Sequence, residues 1–239
     1  MIPVIILCGG FGTRLQSVLP NTPKVLAPIN GQPFLSFLLE HLRAQALLDR
    51  VILSTGHLSD QIEDFVISQA DSYPGLRCIK EPEPLGTAGA VKYVVEKAQL
   101  DGPFLIMNGD TWFNAPIRTL ATDCLIREPG EWVVALTSMR NADRFGLVEF
   151  DASSHHIEAF KEKQQIGETP AWINAGVYLG WSQTFNDYTL PQPCSTEHWL
   201  FPALLQDKKL YCRSFSEATF LDIGIPEDYQ QAEQLLVTR

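Results

Sequence analysis

The sequence predicts an α/β fold, a doubly wound, mainly parallel central sheet with a small mixed or antiparallel extension. Three observations predict it. Apolar runs rich in β-branched residues alternate with stretches of helical periodicity as far as about Asp110. After about Glu131, strand-like runs follow one another instead. The chain has 239 residues, 45% hydrophobic and 19% charged, which matches an ordinary globular protein with one large domain.

Residues 2–7 form a continuous apolar run that meets Gly9-Gly10, as expected of a strand buried on both faces of a parallel sheet and ending near Cys8. From Pro33 onward, Phe34, Leu38 and Leu42, with Leu35 and Leu39 beside them, make the apolar stripe of a helix that opens on proline. A strand over 51–54, a helix over 60–68, a strand over 77–80, a helix over 87–97 and a strand over 104–107 complete a βαβαβαβ order. Such an order requires right-handed crossovers and places ligands in the crevice at the carboxyl ends of the strands. Both Cys8-Gly9-Gly10 and Asn108-Gly109-Asp110 fall at those ends. Runs over 132–139, 146–150, 157–161 and 172–179, separated by polar or glycine-containing turns, predict the extension. A last helix starts at Pro226, with Glu227 and Asp228 at the positive end of its dipole. With no internal repeat or low-complexity linker, residues 1–239 are expected to form a single domain.

Lys and Arg total 18 against 28 Asp and Glu, a net charge of −10, which argues against nucleic acid or an anionic membrane as partner. It leaves small anions open, because the field inside a narrow cleft is set by the charges that line it. The N-terminal MIPVIIL has neither a basic n-region nor a long enough apolar stretch for a signal peptide, so a cytoplasmic location is expected. No apolar segment is long enough to span a bilayer. Cys8, Cys78, Cys124, Cys194 and Cys212 are scattered and read as reduced thiols. His155-His156, taken as neighbours on a strand, point to opposite faces, and Cys194 with His198 lacks further zinc ligands. Trp181, Phe185 and Tyr188 suit either an interface or the core, and a homo-oligomer is compatible with the sequence.

Leu7-Cys8-Gly9-Gly10-Phe11-Gly12-Thr13-Arg14 joins a buried strand to a turn in which backbone N–H groups can approach an anion unobstructed. It is not the dinucleotide fingerprint, since counting from Gly10 the third glycine position holds Leu15, and no Gly-Lys-Ser/Thr follows to make a P-loop. A nicotinamide dehydrogenase is disfavoured accordingly. A ligand-free glycine turn remains the other reading, but Arg14, an always-charged fork beside free amides, suits a polyphosphate.

Gly9-Gly10-Phe11-Gly12-Thr13-Arg14 followed by Pro23-Lys24 resembles the signature of the sugar-1-phosphate nucleotidyltransferases, the sugar nucleotide pyrophosphorylases. Six further blocks stand in family order. They are Glu81-Pro82 with Leu85-Gly86-Thr87 and Gly89, Asn108-Gly109-Asp110, Phe145-Gly146-Leu147-Val148-Glu149, Phe160-Lys161-Glu162-Lys163, Asn174-Ala175-Gly176, and Asp222-Ile223-Gly224-Ile225-Pro226. The resemblance implies a Rossmann-like nucleotidyltransferase fold, with a nucleotide-binding half over about 1–130 and a sugar-binding half over about 131–239. It also implies the reaction, attack of a sugar 1-phosphate oxygen on the α-phosphorus of a nucleoside triphosphate with pyrophosphate leaving. A phosphate nucleophile is already ionised near neutral pH, so the enzyme must gather two anions and neutralise charge rather than supply a strong base.

By that resemblance Leu7, Gly9, Gly10, Gly12 and Thr13 cradle the nucleotide, Arg14 lies over the triphosphate and Lys24 reaches a phosphate. Surface cations are the alternative reading of both. Asp110 and Asp222 would together hold Mg²⁺, a hard cation that keeps waters and is completed by substrate phosphates; Asp222 also reads as a helix cap or turn residue. Gly86 and Thr87, with Ala88 and Gly89, would clasp base and ribose. Glu81 can accept from both guanine N1–H and the 2-amino group, which favours GTP, or it is a solvated loop charge. Glu162 would accept sugar hydroxyls and Lys163 pair with the sugar phosphate, although strand alternation does not choose between Lys161 and Lys163. Asn174 would hydrogen-bond a sugar hydroxyl or serve as a turn residue, and Gly146 would let the sugar approach the backbone.

The blocks most resemble those of compact D-glycero-D-manno-heptose 1-phosphate guanylyltransferases, which make GDP-heptose for surface polysaccharides. The enzymatic alternatives are a mannose 1-phosphate guanylyltransferase and a short uridylyl- or thymidylyltransferase. A non-catalytic nucleotide-sugar sensor is the rival of another class, which has no need of both cations and both metal carboxylates.

Overall fold

The computed structural model describes residues 2–16, 18–161, 165 and 167–236. Strand β1 (Val4–Leu7) runs through the centre of the sheet and leads by a long loop to a two-residue hairpin, β2 (Pro28–Ile29) and β3 (Gln32–Pro33). Helix α1 (Phe34–Ala44) follows, and its stripe of Leu35, Leu38, Leu39 and Leu42 is fully buried. Each such leucine contributes about 1.5–3 kcal/mol of apolar transfer free energy. Strand β4 (Val51–Thr55), helix α2 (Ser59–Ser68), strand β5 (Leu76–Lys80), helix α3 (Gly86–Lys97) and strand β6 (Pro103–Asn108) complete the alternation. These strands pair in parallel in the order β6-β1-β4-β5. The register sets Leu7 beside both Ser54 and Asn108, so three carboxyl ends finish level at one edge.

The chain continues through β7 (Thr111–Phe113), α4 (Arg118–Thr122), β8 (Trp132–Met139), β9 (Leu147–Phe150), β10 (Ile157–Lys161) and β11 (Ala171–Trp181). Strand β11 is antiparallel to β6 on one side and to β8 and β9 on the other. The expected extension is therefore the continuation of one nine-stranded sheet. After α5 (Thr184–Asp187) and α6 (Phe201–Gln206), strand β12 (Leu210–Phe215) pairs in parallel with β8, which makes the extension mixed. Strand β13 (Phe220–Asp222) pairs with β7 in a separate ribbon, and α7 (Pro226–Leu235) ends the described chain.

Alternation along the central strand divides the core. Val4 and Ile6 pack with the α1 leucines on one face, and Ile5 packs with Val91 and Val94 of α3 and Phe201 and Leu204 of α6 on the other. Trp132 anchors the second face, edge-on to Phe104 and Phe185, with its indole N–H donating to Thr184 Oγ1 at 2.8 Å. Phe185 and Tyr188 belong to this core. His155 is not on a strand, as the sequence reading assumed: it lies in a turn at φ 61°, while His156 stacks on Tyr211 at 4.0 Å. Strands β7 and β13, of three residues each, are too short for periodicity to reveal. Among the described residues, no helix is long and apolar enough to cross a membrane.

Candidate active site

The carboxyl ends of β1, β4 and β6 open onto a cavity of about 410 Å³. Leu7 lines it from the end of β1, Gly9 and Gly10 from the loop that follows, Glu81 from the loop before α3, Gly86 and Thr87 from the first turn of α3, and Lys24 and Asp110 from the side. Each glycine of the loop has its own reason. A Cβ on Gly9 would fall 2.5 Å from Glu81 Oε1, and one on Gly12, at φ +61°, 3.0 Å from Lys24 Cγ. Around Gly10 nothing lies within 4 Å. Gly9 and Gly12 are thus required by the protein's own packing, and Gly10 is left free to admit something else. Thr13 is exposed in the following turn and lines neither this cavity nor the second one described below.

Lys24 and Asp110 meet at 3.1 Å, both partly buried. Asp110 leaves the end of β6 through Gly109, where a Cβ would sit 2.5 Å from Leu7 O, so only glycine lets the chain turn so close to β1. The β7–β13 ribbon then brings in a residue from far along the chain. Thr111 pairs with Asp222, and Ile223 N donates to Asp110 O at 2.9 Å. Asp222 Oδ1 accepts the Gly224 N–H at 2.7 Å. The Asp222 carboxyl titrates above its ordinary value, first because it is buried and next because of the charge of Asp110; the Gly224 N–H and Lys24 pull the other way. Two carboxylates that repel each other at the end of a crevice make a donor set suited to a hard divalent cation. Among the described residues there is no group of three or more His, Cys, Asp or Glu side chains for a metal, so the remaining ligands of such a cation would be waters or a substrate.

Glu81 is not a solvated loop charge. Its N–H donates to Thr55 O at 2.8 Å, its Oε2 accepts Leu85 N–H at 3.2 Å, and its Oε1 lies where a Cβ of Gly9 or Gly56 would be, 2.5 Å away in each case. Burial raises its pKa, opposed by the Leu85 N–H. The two glycines seat the carboxylate on the cavity wall.

Gly86 opens α3 at φ +73°, and a Cβ there would strike Cys194 O at 2.5 Å. Cys194 O in turn accepts the N–H groups of Ala88 and Gly89, at 2.9 and 3.2 Å, and Thr87 Oγ1 accepts Thr196 N–H at 2.8 Å. The start of α3 therefore spends these groups on the segment around Cys194, while Gly86 and Thr87 still line the cavity.

A second cavity, of about 570 Å³, is lined by Arg14, Gly146, Asp222 and Gly224, together with Arg144, Phe145, Glu197, Ile225 and Asp228. Arg14 is exposed. Arg144 and Asp228 are paired at 2.7 Å across this cavity, joining the loop before β9 to the first turn of α7. Asn174 lines neither cavity: its amide donates to Tyr178 OH at 2.9 Å and to Glu197 Oε1 at 3.3 Å, and its Oδ1 accepts Gly176 N–H at 2.9 Å. Gly176, at φ +72°, sits in the irregular stretch of β11 against Asn108 Nδ2. The Asn-Ala-Gly block thus ties β11 to the end of β6. Lys161 pairs with Glu149 at 3.1 Å, and Glu162 and Lys163 lie outside the described residues. Sequence reasoning missed Arg144 and Glu197. Arg144 directly precedes the Phe145-Gly146 block and had a signal there, but Glu197 stands in a stretch with no distinguishing pattern.

A family model described as nucleotidyl transferase matches residues 3–239. The chain is 36% identical to the D-glycero-alpha-D-manno-heptose 1-phosphate guanylyltransferase of Campylobacter jejuni, over 94% of this chain and 96% of that one. It is 37% identical to the protein of the same name from Aneurinibacillus thermoaerophilus, over 97% of each. Among solved structures, HddC from Yersinia pseudotuberculosis complexed with GMP-PN is similar with a TM-score of 0.82 and 32% identity, covering 98% of this chain and 99% of that one.

Proposed function

The chain belongs to the nucleotidyl transferase family, and from that premise we propose that it transfers the guanylyl group of GTP to D-glycero-D-manno-heptose 1-phosphate, forming GDP-heptose and pyrophosphate. Two relatives of nearly the same length carry that activity in their names, and a similar solved structure holds GMP-PN. One observation carries the reading. Asp110 lines the first cavity and Asp222 the second, and the two carboxylates, linked through the β7–β13 ribbon, are near enough for the charge of Asp110 to act on Asp222. In this reading the two anionic reactants meet at that pair.

In this reading GTP occupies the first cavity, with its base edge toward Glu81 and its phosphates over the glycine loop at Gly10. Gly9, Gly12 and Thr13 shape that loop, while Leu7, Gly86 and Thr87 complete the wall. Arg14 and Lys24 draw the phosphates in and offset charge as it develops at the α-phosphorus. The sugar 1-phosphate takes the second cavity against Gly146, with Asn174 behind its wall. Glu162 and Lys163 remain assigned to the sugar hydroxyls and the sugar phosphate, Lys161 being engaged with Glu149. The acceptor phosphate is already ionised, so alignment and charge neutralisation carry the chemistry. Asp110 and Asp222 would hold Mg²⁺, which supplies positive charge against phosphoryl oxygens when bound. The halves about residues 1–130 and 131–239 each take one substrate, though Arg14 reaches across. Five unpaired cysteines, three of them buried, suit a reducing compartment, and the cytoplasm is the proposed location.

Pyrophosphate release, measured for GTP, UTP and dTTP against heptose, mannose and glucose 1-phosphates, tests the proposal. Turnover should be greatest with GTP and the heptose phosphate. Greatest turnover with mannose 1-phosphate or with UTP would move the assignment to another member of the family, and tight binding without turnover would make the protein a sensor.

A further inference from the structure

We infer that Glu197 helps select the sugar: its carboxylate accepts hydrogen bonds from hydroxyl groups of the sugar 1-phosphate. The inference rests on the nucleotidyl transfer reading above. It starts from the charges on the wall of the second cavity. Asp228 is neutralised by Arg144 at 2.7 Å. Asp222 accepts the Gly224 N–H and feels the charge of Lys24. Glu197 has no cationic partner among the described residues, and its one side-chain hydrogen bond comes from the neutral amide of Asn174 at 3.3 Å. A carboxylate left uncompensated beside a phosphate dianion would oppose binding, so its productive place is against the hydroxyl-bearing part of the same substrate. One of its lone-pair sites is engaged by Asn174, and an ionised carboxylate offers about four.

The side chain is exposed but its base is fixed. Asn174 places both amide hydrogens, one on Tyr178 OH and one on Glu197, while its own oxygen holds Gly176 N–H. The backbone of Glu197 lies in a wide helical turn, Thr196–Leu200, opened by Ser195, whose Oγ accepts His198 N–H at 3.3 Å. Just before it, Cys194 and Thr196 are bonded to the start of α3. A carboxylate held from two directions at a cavity wall has the preorganisation that recognition of a hydroxyl needs. In this arrangement Asn174 is a positioning residue that acts through Glu197.

The test is steady-state kinetics of Glu197→Gln, Asn174→Ala and the double variant, with GTP and the sugar 1-phosphate varied separately and thermal melting as a control. Glu197→Gln should raise KM for the sugar phosphate by about ten- to hundredfold, the worth of a charged hydrogen bond, with KM for GTP within about twofold and an unchanged melting temperature. Asn174→Ala should raise the same KM by a smaller factor and add nothing on top of Glu197→Gln. Wild-type turnover with an unchanged sugar-phosphate KM in Glu197→Gln would overturn the role of Glu197 alone. A wild type that turns over no sugar 1-phosphate would overturn the reaction and this role with it.

Discussion

Glu81 shows how a loop carboxylate comes to be fixed on a cavity wall. Two glycines, Gly9 and Gly56, leave room for its Oε1, and the Leu85 N–H holds its Oε2. Burial raises its pKa, so it takes up a proton at a higher pH than a solvated carboxylate would. Only the ionised form accepts from both guanine donors, so KM for GTP should rise as pH falls through that raised value. In Glu81→Gln the pH dependence should vanish and the preference for GTP over UTP should fall about tenfold or more, read from kcat/KM for each triphosphate. Asp222 illustrates the opposite bargain. Its carboxyl is raised by burial and by Asp110, so the folded state binds its proton more tightly than the unfolded chain does. Stability is therefore lost as pH rises from the ordinary carboxylate range through the raised value, and at neutral pH the full penalty is present. Asp222→Asn keeps an oxygen for Gly224 N–H and removes the charge. It should raise the melting temperature in metal-free buffer while lowering turnover by at least about a hundredfold.

At the scale of elements, the glycine loop and the start of α3 hold glycines of two kinds, told apart by their surroundings. Gly86 is held at φ +73° with Cys194 O in the way of any Cβ. Gly86→Ala should destabilise the fold by about 1–3 kcal/mol, measured by urea unfolding, because both the backbone conformation and the docked segment oppose it. Around Gly10 there is open space. Gly10→Ala should leave unfolding unchanged within about 0.5 kcal/mol and raise KM for GTP, since a methyl group there obstructs only a ligand approaching the backbone. Equal destabilisation by the two substitutions would show that the loop is glycine-rich for folding alone.

Across the whole molecule, a chain with a net charge of −10 sets Lys24 on the wall of the first cavity and Arg14 on the wall of the second, and in the proposed reading these local cations hold phosphates despite the acidic surface. The main sheet is continuous from β5 to β12 and carries the first cavity at its strand ends, while the second cavity also takes Asp222, Gly224, Ile225 and Asp228 from the segment that leads from the separate β7–β13 ribbon into α7. Since the two aspartates repel each other, adding Mg²⁺ should raise the melting temperature of the wild type and should do so far less for Asp222→Asn, while a chelator should abolish pyrophosphate release and leave the fold intact.

The alternation of strands and helices along the chain, the α1 stripe and the position of Asp110 at the end of an apolar strand were legible in the sequence, because each depends on neighbours within one or two turns of chain. The seven blocks likewise named most residues of the crevice. What only the tertiary structure decided is which distant residues share a wall. The resemblance already paired Asp222 with Asp110, but the three-residue ribbon that links them belongs to the fold, as does the route by which Glu197 reaches the second cavity through Asn174 and the start of α3. Asn174 itself turns inward to brace that wall. These placements are made by contacts between segments far apart in the chain, and no local pattern of hydrophobicity or spacing encodes them.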